Sequence, residues 1–255
     1  MKLGWIDQHA HLMDESLLIE IDDVILRAKE NGIIRVMLIA LSGKEMDLAL
    51  RLKSKYEMID VTCGFHPSDA HNISEDNWKK LEETLKTGEI SAVGEIGLDY
   101  YWDESHKEIQ KEVFKRQIKL ADKYKLPVAI HMRDATQDTY DIIKQCKPKQ
   151  KGVMHCYTGS VEMGKRFIEQ GFFISLAGPL TFKNAKSNLE VAKALPLDKL
   201  LIETDSPYLT PHPHRGKINE PSYVRFVGEK LAKIKNLEID KVKLQLLNNY
   251  NKLYK

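Results

Sequence analysis

Six residues of metal-binding type recur along this chain, each at the end of a short apolar run: His9, His11, Glu95, His131, His155 and Asp205. Gathered at one point, four imidazoles and two carboxylates would hold divalent cations. Such ions lower the pKa of a water molecule and steady the oxygens of a reacting ester. The i, i+2 spacing of His9 and His11 puts both rings on one face of an extended strand, so the pair can serve one ion. An HxH pair alone is a weak signal, because His212 and His214 repeat it between prolines. That second pair follows no strand directly and reads as loop surface at a rim. The joint placement of the six carries the reading, since each would otherwise be a costly polar group beside a packed core. Asp7 and Glu203 share strand parity with His9 and Asp205, so each is a candidate supporting group or extra ligand.

Something must bring these distant residues together. The apolar runs read as strands at Leu3–Ile6, Ile33–Ala40, Ile59–Gly64, Ser91–Gly94, Pro127–Ile130, Gly152–Met154, Phe172–Leu176 and Lys199–Ile202. Amphipathic stretches follow them. Ile21, Val24, Ile25 and Ala28 make one stripe, closed by Gly32; Trp78, Leu81 and Leu85 make another, opened by Ser74 and closed by Gly88. Ser105 with Glu108 has the form of a capping box ahead of Ile109, Val113, Leu120 and Tyr124. Met163 and Phe167 follow Ser160, and two further stripes run through Val224–Ile234 and Val242–Leu253. Eight strand–helix units in about 250 residues predict a single (β/α)8 TIM barrel over residues 1–255, with a doubly wound sheet as the alternative. In a barrel, the C-terminal strand ends share one mouth, where all six candidates would meet.

The composition narrows the classes. Lys plus Arg number 39 and Asp plus Glu 37, so no basic footprint suits wrapping a long duplex. Residues 225–255 carry eight Lys or Arg against three Asp or Glu, which reads as a solvated pair of helices. With 42% hydrophobic and 30% charged residues the chain reads as globular. The run Val36–Leu41 is too short to span a bilayer, and Met1–Asp7 lacks the apolar core of a signal peptide. Cys63, Cys146 and Cys156 form no CxxC, which suggests a reduced, cytoplasmic protein. A nucleophilic role for Cys156 beside His155 is disfavoured, because strand neighbours point to opposite faces.

Longer motifs carry a resemblance. His9-Ala10-His11, the Gly94–Tyr100 stretch GEIGLDY, His131-Met132-Arg133, the His155–Gly159 stretch HCYTG and the Glu203–Leu209 stretch ETDSPYL resemble the TatD family of metal-dependent deoxyribonucleases, amidohydrolase-superfamily barrels. Gly64-Phe65-His66-Pro67 and the Arg215–Pro221 stretch RGKINEP are similar to family motifs too, with Ile218 where the family often has Arg. The resemblance implies two divalent ions, one held by His9, His11 and Asp205, the other by His131 and His155, with Glu95 between them. Four imidazoles and two carboxylates suit Zn, Mn, Fe or Ni better than Mg, while the family is usually described with Mg. An activated water would attack phosphorus in line, with Asp205 as the catalytic group that orients it and takes its proton. His66, Arg133 and Arg215 would be substrate-binding residues on phosphate oxygens, and Tyr100, Tyr101 and Trp102 could stack an unpaired base. The resemblance thus implies 3′→5′ exonuclease action on ends of single-stranded DNA, with no membrane and no obligate protein partner. The rivals are a D-aminoacyl-tRNA deacylase and a small-molecule amidohydrolase using the same centre.

Overall fold

Runs rich in β-branched residues form eight parallel strands in the computed structural model, which describes residues 3–102 and 105–255. The strands are β1 (Trp5–Ala10), β2 (Ile33–Ala40), β3 (Ile59–Cys63), β4 (Ala92–Asp99), β5 (Val128–Arg133), β6 (Gly152–Met154), β7 (Phe173–Leu176) and β8 (Leu200–Ile202). Each pairs with the next in chain order. β1 then meets the chain beyond β8 through a parallel bridge between Ala10 and Ser206. His11 N donates to Ser206 O at 2.8 Å and Asp205 N donates to His9 O at 3.0 Å. This consecutive order, nearly closed on itself, is the TIM barrel and excludes the doubly wound sheet. The seam that closes it is made by metal-ligand candidates. Of the expected N-terminal stretch, Met1 and Lys2 lie outside the described residues.

Helices α1 (Glu15–Leu18), α2 (Ile21–Glu30), α3 (Gly43–Lys55), α4 (Glu75–Lys86), α5 (Lys107–Tyr124), α6 (Thr136–Cys146), α7 (Val161–Glu169), α8 (Lys186–Ala194), α9 (Val224–Lys235) and α10 (Ile239–Tyr254) cover the sheet. Parallel strands are therefore buried on both faces, which is why their sequences run apolar without alternation. At α4 the expected cap forms in full, with Ser74 accepting from Asn77 N and the Asn77 side chain accepting from Ser74 N. At α5 the expectation is corrected. The N-cap is His106, with no side-chain cap, and Glu108 instead pairs forward one turn with Lys111 at 2.9 Å. Among the described residues no helix is long and apolar enough to cross a membrane.

Three strands run past the ends of their apolar runs. β1 reaches Ala10, β4 reaches Asp99 and β5 reaches Arg133, so His9, Glu95 and His131 stand inside strands. The β4–β5 ladder pairs Gly97 with His131 and Asp99 with Arg133, and a backbone ladder does not need apolar side chains. Gly97 permits this approach. Its φ is +141°, and a Cβ there would lie 2.0 Å from the His131 carbonyl oxygen. Gly97→Ala is therefore expected to destabilise the protein by about 3 kcal/mol and to displace His131. Urea unfolding with metal titration checks this, and wild-type stability in that variant would contradict the close contact.

Candidate metal centre

Glu95 is the hub, buried at the floor of the barrel mouth. Its two oxygens face different histidines. Oε2 lies 3.4 Å from His9 Nε2 and 3.6 Å from His11 Nε2, whereas Oε1 lies 2.6 Å from His131 Nδ1 and 2.9 Å from His155 Nε2. Asp205 Oδ1 completes the first side at 3.4 Å from His11 Nε2 and 3.7 Å from His9 Nε2. The six candidates form two compact donor groups, His9–His11–Asp205 and Glu95–His131–His155, and His66 and Asp99 form a further one with His131. All six sequence candidates thus meet at one point.

The buried surroundings hold these rings in place. His155 Nδ1 meets Glu203 Oε1 at 2.9 Å, and the same oxygen accepts from Cys156 N at 2.7 Å. The other Glu203 oxygen accepts from the Gln8 amide, whose own oxygen accepts from Tyr254 O–H at 3.0 Å near the end of α10. Asp7 accepts from Thr204 N at 2.8 Å and from the Thr204 hydroxyl at 2.6 Å, tying β1 to the segment after β8. Asp7 and Glu203 therefore act as supports in this arrangement, though Glu203 also comes within ligand distance of His9 and His155. Sequence reasoning assigned no role to Asp99, whose Oδ2 lies 3.0 Å from His131 Nε2. Its position two residues beyond Gly97 in the Glu95 strand was the available signal. Asp205 and Cys156 adopt φ of +57° and +41°, a left-handed backbone that is uncommon for non-glycine residues.

The donor set fits a divalent cation. His9 Nδ1 is buried without a partner while its Nε2 faces His11 Nε2 at 3.2 Å, two nitrogens that a cation between them would reconcile. In the protein alone, protons balance the site. Burial works against charge at His155, but Glu95 and Glu203 outweigh it and hold its pKa well above 6.5. Burial likewise opposes charge at His11 and His131, but Asp205 and Glu95 raise the first and Asp99 and Glu95 the second. Burial would raise Glu95 and Asp205, yet the surrounding imidazoles hold both below their ordinary values. Asp7 differs: burial prevails and pushes it up to about 8. Cation binding should therefore release protons from His11, His131 and His155. Because these pKa values are raised, the imidazoles keep their protons through pH 6.5 and lose them above it. Affinity should rise about tenfold per pH unit for each proton displaced. Calorimetry in two buffers of different ionisation enthalpy measures this directly, and a pH-independent affinity without proton release would contradict it.

Above the floor opens a cavity of about 760 Å³. His66 lines it with its Nε2 3.7 Å from Glu95 Oε1, while its Nδ1 accepts from Ser68 N at 3.2 Å. That bond puts the proton of neutral His66 on Nε2, facing the mouth. Burial lowers its pKa to about 4, so His66 acts as a neutral donor. Arg133 also lines the mouth, its guanidinium stacked 3.7 Å from the Tyr101 ring centre and 5.3 Å from that of Trp102. Trp102 and Tyr208 are exposed along the same opening. Tyr100 is buried instead, with its hydroxyl donating to Asp138 at 2.8 Å. Cys156 lines the mouth alongside His155, correcting the opposite-face expectation. The strand ends at Met154, so alternation does not reach that pair. Burial and nearby carboxylates still raise the thiol well above its ordinary value, which disfavours a nucleophile. Arg215 does not line this mouth; it lies over Phe182 in a neighbouring recess that His212 also lines. His214 stacks on Tyr223 at 4.4 Å, away from any metal cluster among the described residues.

Known proteins resemble this chain in sequence and in fold. The family model described as TatD related DNase matches residues 6–255. An uncharacterized metal-dependent hydrolase of Bacillus subtilis, YabD, is 42% identical over 98% of each chain. YcfH of Escherichia coli, described in the same words, is 34% identical over 98% of this chain and 95% of its own. The crystal structure of YJJV, a TatD homologue from Escherichia coli, superposes with a TM-score of 0.95 at 28% identity, covering 100% of this chain and 99% of that one.

Proposed function

The chain belongs to the TatD related DNase family of metal-dependent hydrolases, and from that premise we propose that it is a deoxyribonuclease that trims single-stranded DNA from the 3′ end. The observation that carries the reading is the placement of Arg133. A guanidinium stacked on two exposed aromatic rings stands at the lip of a mouth whose floor is a divided carboxylate among four imidazoles. The floor suits a phosphodiester, and the wall suits the phosphate and base attached to it. A small-molecule amidohydrolase has no use for that wall.

His9, His11 and Asp205 would hold one divalent ion and His131 and His155 a second, with one Glu95 oxygen toward each. Mg, Mn or Zn in those positions would supply an acidified water and neutralise phosphate charge. The chain's own residues do the rest. Glu203 holds the His155 ring by Nδ1 and so aims Nε2 at the centre. Arg133 binds a non-bridging phosphate oxygen, and His66 donates its Nε2 proton to another as a neutral group. Asp205 stays ionised among its histidines, accepts the proton of the attacking water and returns it to the departing 3′ oxygen as the P–O3′ bond breaks.

The test is a product-length assay on end-labelled single-stranded DNA. Protein stripped of metal should be inactive, and Mg or Mn should restore a ladder that shortens from the 3′ end. Deacylation of mischarged tRNA, or hydrolysis of a cyclic amide, with DNA left intact would replace this reading.

A further inference from the structure

Beside the mouth lies a second recess, of about 290 Å³, that the proposed chemistry leaves unused. Phe182, Lys183, Asn184, His212 and Arg215 line it, and no carboxylate does. The Arg215 guanidinium sits 4.0 Å from the Phe182 ring centre. Among the described residues, neither Lys183 nor Arg215 has an ion-pair partner. Two permanent cations and a histidine around an open, partly aromatic hollow make a place for an anion.

The recess is built on a fixed ridge. Thr181 donates to Gly178 O at 2.8 Å and accepts from His212 N at 2.8 Å, which fastens the segment after β7 to the loop after β8. A Cβ at Gly178 would fall 1.8 Å from the Leu209 carbonyl oxygen, so the two segments are in backbone contact. That ridge separates the two cavities by very little. Pro179 and Leu209 line the mouth, while Phe182 and His212, three residues further along each segment, line the recess. Three residues span at most about 11 Å, so a polynucleotide backbone seated in the mouth can continue into the recess. The Arg133–Tyr101–Trp102 wall stands at the ends of β4 and β5, across the barrel from β8.

We propose that the recess is a phosphate subsite for the polynucleotide, occupied by a backbone phosphate a few nucleotides from the bond over Glu95. Arg215 and Lys183 hold the phosphate oxygens and Phe182 packs against the neighbouring sugar or base. The strand then crosses the mouth from Trp102 to Arg215. The inference rests on the nuclease reading and gives Arg215 a phosphate other than the one under attack.

The test compares Arg215→Ala and Lys183→Ala with wild type on fluorescein-labelled oligodeoxynucleotides from two to eight residues long. Both side chains are exposed, and unchanged thermal melting confirms that each variant is folded. For the longest strand each variant should raise KM about tenfold. The variant-to-wild-type ratio should fall toward one as the strand shortens past the recess. Fluorescence anisotropy of the metal-free protein should show the slope of log affinity against log salt reduced by about 0.7 for one lost phosphate contact. Equal KM values at every length, with wild type active, overturn the subsite and leave the nuclease reading standing. A metal-loaded wild type that cleaves no strand of any length overturns both.

Discussion

Glu95→Gln is expected to cut DNA hydrolysis by at least about 1000-fold, the loss of several kcal/mol of transition-state charge stabilisation. The argument is geometric. One carboxylate oxygen faces His9 and His11 and the other faces His131 and His155. An amide of the same shape keeps one acceptor and turns an N–H2 donor toward the other group. No cation can share a position with that donor, so bound metal should fall by about one equivalent from the two proposed. Glu95→Asp keeps the charge on a shorter arm, so it should recover metal more fully than rate. Elemental analysis of dialysed protein, run beside the labelled-strand assay, separates these outcomes. Two retained equivalents with turnover within tenfold of wild type would remove Glu95 from the centre.

The candidate ligands were legible because a histidine or acid at the end of an apolar run is anomalous on physical grounds. A barrel gathers such anomalies at one mouth, so six positions between residues 9 and 205 could be joined without coordinates. β2 and β6 were legible to the residue, since their apolar runs and their ladders coincide. β4 was not, because Glu95, Gly97 and Asp99 break the apolar pattern while hydrogen bonding to β5 continues. Asp99 went unassigned for the same reason. α8 buries only Val191 and Ala192, too thin a stripe for periodicity to detect. The chain of contacts from Tyr254 through Gln8 to Glu203 joins residues more than 190 positions apart, and no local pattern encodes it. Arg215 stands on the far side of a ridge from its expected place, because the loop after β8 has no period to fix where a side chain points.

Asp205→Asn should lower kcat by about 1000-fold or more while most of the metal stays bound, which isolates proton transfer from ion binding. Asp205 lies at 3.4 and 3.7 Å from His11 and His9, so an asparagine oxygen can still serve as a weaker ligand there. What the amide cannot do is take a proton. The pH profile makes the distinction sharper. Histidine contacts hold the Asp205 carboxyl below its ordinary 3.8 against the effect of burial, so it is ionised at every working pH. The acidic limb of wild-type activity should therefore belong to His11, His131 and His155, whose protons would compete with the ions. Since their pKa values are raised above 6.5, activity should climb through and beyond that pH as they are lost. The variant should keep this limb and sit lower by the same factor throughout. A variant with wild-type turnover would show that another group takes the proton. One that loses the limb together with the rate would show that Asp205 itself titrates there, contrary to the lowering of its carboxyl beside His11.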